Sequence, residues 1–123
     1  MAHRKIMKKH KQTSVREIFI GKWHITKMSE WDEGYCNMEV QAYINIEKSG
    51  MGEFQFGLVT ASLNGDFKKT NNGTIFDFTF DGSDECDPTN GDGWIKIKED
   101  GTAEGEIRFH MGDSSKFWAK KIK

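Results

Sequence analysis

The stretch "MEVQAYINIEKSGMGEFQFGLV" (residues 38–59) decides the fold. Apolar and polar residues alternate along both halves, the period of a strand with one buried face. Lys48-Ser49-Gly50 between them fits a three-residue hairpin loop with Gly50 in the left-handed position. That loop sets Ile46 opposite Gly52, Ile44 opposite Phe54, Ala42 opposite Phe56 and Val40 opposite Leu58. Each of these is apolar or glycine, whereas the other face pairs Asn45 with Glu53 and Tyr43 with Gln55. A slip of one residue would send every apolar side chain to the wrong face, so pattern and loop support each other.

Working outward, the same reading gives three more hairpins. In "DFKKTNNGTIFDFTF" (66–80), an Asn72-Gly73 turn sets Phe67 opposite Phe78 and Lys68 opposite Asp77. In "WIKIKEDGTAEGEIRF" (94–109), a loop at Glu99-Asp100-Gly101 sets Ile97 opposite Ala103, Ile95 opposite Gly105 and Lys96 opposite Glu104. In "EIRFHMGDSSKFWAKK" (106–121), a loop at Gly112-Asp113-Ser114 sets Phe109 opposite Phe117, Ile107 opposite Ala119 and Glu106 opposite Lys120, with Arg108 beside Trp118. "GKWHITKM" (21–28) supplies a first strand, and the chain between 58 and 67 is expected to turn at Ala61-Ser62 or at Asn64-Gly65. The expected fold is all-β: eight antiparallel strands in sequence order, closed as an up-and-down meander barrel that leaves no free edge. A β-sandwich is the alternative. The inward face then holds Trp23, Ile25, Val40, Ile44, Leu58, Ile95, Ile97 and Ile107 and eight of the nine phenylalanines, with Phe19 outside it.

A chain of 123 residues is one domain. Six of its eighteen Lys/Arg but one of its nineteen acids fall in residues 1–17, leaving +5 there and −6 over 18–123. This divides the sequence into a basic, flexible N-terminal tail (1–17) and a β-barrel domain (18–123). The barrel has no basic face to match the tail, which disfavours nucleic acid as a partner. No window is apolar enough for a transmembrane helix, and no apolar segment follows the basic N-terminus as in a signal peptide. A cytoplasmic location is therefore expected, with Cys36 and Cys86 as reduced, buried thiols. CxxC, P-loop, HExxH and GxSxG motifs are all missing.

"GKWHI" (21–25) opening the first strand and "FWAKKIK" (117–123) ending the last resemble the calycin barrels, namely lipocalins, fatty-acid-binding proteins and avidins. In that group a GxW tryptophan packs under a Lys or Arg of the last strand, and Trp23 and Lys121 occupy those positions. The resemblance spans about residues 20–122. It is shared with a group of small, uncharacterised bacterial barrel proteins. Shorter strands and no accompanying helix set this sequence apart from true lipocalins.

A meander alternates its connections between two ends. The tight turns share one rim. The connections at 29–37, 61–65, 82–92 and 112–114 share the other, expected to be open and acidic. Loops over a rigid scaffold are where barrels carry function. The expected ligand-binding residues there are Trp31, Tyr35, Asp84 and Asp87, with Met38 and Met111 pointing inward beneath them. "GSDECDPTNGDGW" (82–94) is acid-rich, but its spacing does not match a calcium loop and reads as a structured turn. Neither metal nor cofactor nor catalytic residue is assigned. The leading expectation is non-enzymatic binding of a small, largely apolar ligand at the acidic end. The alternative is a protein-interaction or self-association module using outward Trp94, Arg108, Trp118 and Tyr43. A carboxylate-based enzyme ranks third. A hollow interior favours the first reading and a filled one the second.

Overall fold

The computed structural model describes residues 16–122. Eight antiparallel strands form a closed barrel in the order of the sequence. They are β1 (Gly21–Met28), β2 (Tyr43–Ile46), β3 (Met51–Phe56), β4 (Val59–Thr70), β5 (Gly73–Asp84), β6 (Asp87–Ile97), β7 (Ala103–Phe109) and β8 (Ser114–Lys121). A single helical turn, α1 (Glu33–Cys36), interrupts the connection between β1 and β2. No described helix is long and apolar enough to cross a membrane. The tail expected at 1–17 lies outside the described residues except for Arg16 and Glu17.

The deciding hairpin has the expected register, with Tyr43↔Gln55, Ile44↔Phe54, Asn45↔Glu53 and Ile46↔Gly52. Its outer part differs. Asn37 Oδ1 accepts from Ala42 N (2.8 Å), so the chain leaves the sheet before Tyr43. Val40 is consequently 45% exposed rather than inward. The β6–β7 register matches throughout, including Ile97↔Ala103 and Lys96↔Glu104.

In two hairpins the register departs from the expected one by an even number of residues. Asn71-Asn72 forms the β4–β5 turn, pairing Thr70 with Gly73 and Phe67 with Phe76. An Asn72-Gly73 turn of type I′ needs positive φ at both residues. Here Gly73 has it (φ 112) and Asn72 does not. Lys68 still reaches Asp77, as a diagonal ion pair at 2.9 Å. At β7–β8 the chain reverses around 110–112, with Met111 rather than a glycine at positive φ (56). The partners become Gly105↔Phe117, Ala103↔Ala119 and Glu106↔Lys116, and Trp118 faces Glu104 rather than Arg108. An even shift preserves which face each side chain occupies, and so the inward set survived both errors.

The β3–β4 turn lies at neither expected place. Phe56 pairs with Val59 around Gly57-Leu58, and Gly57 has φ 56. The ring of Tyr35 lies where a β-carbon on Gly57 would stand. The supposed loop at 82–94 is also mostly strand: β5 and β6 run to Asp84↔Asp87, leaving only Glu85 and Cys86 as the turn.

Rings run through the interior from end to end. Phe19 meets Phe67 (5.5 Å), Phe67 meets Phe76 (4.9 Å), Phe76 meets Phe78 (5.9 Å) and Phe78 meets Phe54 (6.5 Å). Phe54 meets Phe80 (5.0 Å) and Phe80 meets Phe109 (5.4 Å). Inward glycines make the room. Phe78 lies over Gly93, Phe80 over Gly91 and Phe117 over Gly105, each closely enough to leave no space for a β-carbon. Phe19, expected outside, is 1% exposed and belongs to this core.

At the end bearing the β2–β3, β4–β5 and β6–β7 turns, Trp23 donates from Nε1 to Phe19 O (3.0 Å). Lys121, its ladder partner, places Nζ 5.4 Å from the ring centroid and donates to Ile18 O (3.0 Å). Burial pushes the Lys121 ammonium below the ordinary lysine value. The two residues carrying the calycin resemblance are thus in contact.

Candidate functional site

The end opposite Trp23 is closed by the β1–β2 connection. Asp32 caps α1, its Oδ1 accepting from Tyr35 N (2.8 Å). The cap turns Trp31 inward, where its ring meets Phe56 (5.1 Å) and Phe109 (6.1 Å). Tyr35 packs beside it (6.5 Å), and its hydroxyl accepts from Leu58 N (3.3 Å). Below, buried Ser115 accepts from Glu30 N (3.2 Å), tying the start of the connection to β8. Trp31 and Tyr35 are therefore brought together, as parts of a lid.

The methionines expected beneath this rim are on its outside. Met38 is 55% exposed and Met111 94%. The physical reason is the same twice: each sits where the chain leaves the ladder, Met38 after α1 and Met111 at a turn tip. Asp84 and Asp87 meet as the last pair of β5 and β6 and both are exposed. Cys36 is buried and Cys86 exposed, and both are free thiols, which corrects the expectation of two buried ones. Burial, reinforced by Asp32, pushes the Cys36 thiol up. Among the described residues, no group of three or more His, Cys, Asp or Glu is arranged to hold a metal ion.

A denser constellation occupies the outer face of β6 and β7. Arg108 donates to both oxygens of Asp92, from Nε (3.0 Å) and Nη2 (3.1 Å). Its Nη1 donates to Glu106 Oε1 (3.1 Å), and the same oxygen accepts from Trp94 Nε1 (3.2 Å). Forked pairing of this kind fixes both partners in orientation. The Arg108 hydrogen bond holds the Asp92 carboxyl below its ordinary range, and the Asp92 partner raises the Arg108 guanidinium. A cleft of about 500 Å³ lies beside the pair, walled by Thr79, Asn90 and His110. Further round, Lys27 stands over the Trp118 ring (5.5 Å) and Lys22 over Tyr43 (4.3 Å). Asp92 was expected on a rim loop. Extending the correct β6–β7 register by three residues beyond Ile95 would have placed it opposite Arg108.

Set against family models, curated proteins and solved structures, the chain matches none.

Proposed function

We propose that this protein is a non-enzymatic interaction module. It docks a protein partner on the outer face of β6–β8 and uses its ring-filled barrel as a rigid scaffold. The observation that carries this reading is the preset state of the anchors. Trp94 and Arg108 are tied to Glu106 and Asp92 before any partner arrives. Ordered aromatic and arginine side chains lose little freedom on binding and are typical interface anchors. The continuous ring stack favours an exterior site over an interior one. In this reading the barrel is calycin-like in its Trp23–Lys121 closure, bacterial and cytoplasmic, and a second copy is one eligible partner.

The test compares wild-type protein with Trp94→Ala and Arg108→Ala by sedimentation and by stoichiometric retention of a partner from host extract. Association that is lost in both variants, with unchanged thermal stability, supports the proposal. Saturable binding of an apolar fluorophore that Trp31→Ala abolishes and Trp94→Ala spares would return function to the acidic rim. Trp31, Tyr35, Met38, Asp84, Asp87 and Met111 would then be the ligand residues.

A further inference from the structure

A second cleft, of about 310 Å³, opens on the outside of β1 beneath α1. The path of the chain creates it. Because β2 begins only at Tyr43, residues 38–41 lie exposed outside the ladders, and the chain rejoins the barrel at buried Ala42, whose O accepts from Ile25 N (2.8 Å). A register shift between Ile25 and Lys27 bends β1 at Thr26. Polar residues from four elements line the space: His24 and Thr26 of β1, Glu33 and Asn37 around α1, Gln41 of the connection, and Lys120 and Lys121 of β8, the Lys121 ammonium being engaged by Ile18 O.

The formal charges of Lys120 and Glu33 stand on two walls. His24 and Lys120 are ladder partners and form one side together. Glu33 belongs to the helical turn on the other, one turn away from Asn37. The Asn37 amide is already oriented by its bond to Ala42 N, which occupies Oδ1 and leaves the NH₂ group for a ligand. A simple anion in this cleft meets Glu33, and a simple cation meets Lys120. Only a dipole satisfies both walls. We infer that the cleft binds a small zwitterion of the free amino-acid class, its carboxylate between His24 and Lys120 and its ammonium at Glu33. The volume lies within the usual range of small-molecule sites. The cleft shares no residue with the Trp94, Arg108, Asp92 and Glu106 constellation, although Lys120 stands on β8, and its reading does not depend on that constellation.

The experiment is an NMR titration of the full chain with L-glutamine, propionate and propylamine, following the His24 ring and the Asn37 side-chain amide. Glutamine is expected to give a saturable shift at both, with an affinity roughly tenfold above that of either half-molecule, a gap of about 1.4 kcal/mol. Glu33→Gln and Lys120→Gln should each weaken glutamine roughly three- to fivefold, the scale of a solvent-exposed ion pair. Both positions are exposed, so an unchanged far-UV spectrum will confirm that the variants fold. Propionate binding as well as glutamine, no saturable shift at His24, or variants indistinguishable from wild type would each overturn the inference.

Discussion

Each end of the barrel is closed by a tryptophan, but the two closures are made of different material. Trp23 is a strand residue, in register with Ile44 on one side and Lys121 on the other. Backbone ladders hold it, and Phe19 and Lys121 complete the seal. Trp31 is a loop residue, partly exposed and held by rings at 5.1–6.5 Å and by one four-residue helix. A closure built on ladders inherits the rigidity of the sheet. One built on a loop is only as firm as the side chains beneath it.

The largest expected effect breaks the firmer end. Trp23→Ala should cost about 3–5 kcal/mol in urea unfolding, as removal of a fully buried aromatic does. Trp31→Ala should cost about 1–2 kcal/mol, because part of that ring is never removed from water. Equal losses would erase the distinction. Next comes the seat of the lid. Gly57→Ala puts a β-carbon into the Tyr35 ring and an L side chain at φ 56, which should cost about 1–3 kcal/mol. Tyr35→Ala in the same chain should recover the part caused by the clash, read as non-additivity in a double-mutant cycle.

The smallest effect concerns Lys121. Its folded pKa lies below the ordinary lysine value of 10.5 because burial disfavours the ammonium. Between the folded value and 10.5 the unfolded chain binds more protons, so this group makes stability rise with pH through that window. Below the folded value both states are protonated and its contribution is flat. Lys121→Met should flatten the alkaline part of the stability profile. A profile unchanged by the substitution would show that the pairing with Ile18 O and the Trp23 ring offsets the desolvation.

The same contrast separates what was legible in the sequence from what was not. Period-two alternation specifies a face, and faces survive any even shift of register. Hence Phe67, Phe78 and Phe117 face inward as the alternation predicts, although their ladder partners differ. The β6–β7 ladder was legible outright, since Glu99-Asp100-Gly101 leaves little choice of turn. Three turns differ from their local signals: a non-glycine takes positive φ at Met111, a distant ring decides at Gly57, and at β4–β5 the turn falls on Asn71-Asn72, one residue before the Asn-Gly pair. Nothing local in "FGLV" announces a tyrosine more than twenty positions away. The candidate site suffered for the same reason. Trp31 and Tyr35 belong to one end as expected, but their packing depends on α1. Met38 and Met111 were assigned inward by extending alternation beyond the ladders.

The tie between Lys121 and Ile18, 103 positions apart, also bears on the order of folding. Every ladder but β1–β8 joins neighbours in the chain. Six hairpins can therefore form across short turns and β1–β2 across the longer connection through α1, while the last step must bring the two ends of the meander together. Closing a loop of that length costs about 4 kcal/mol in the logarithmic term alone. The seam formed by Trp23 and Lys121 is then expected to be the slow step, with Trp31 settling afterwards. Weakening the seam should slow folding, whereas weakening the lid should mainly hasten unfolding. Joining residue 122 to residue 18 by a short linker and opening the chain at Glu85-Cys86 would turn that distant seam into a local one, and the barrel should then form faster without a change in its contacts.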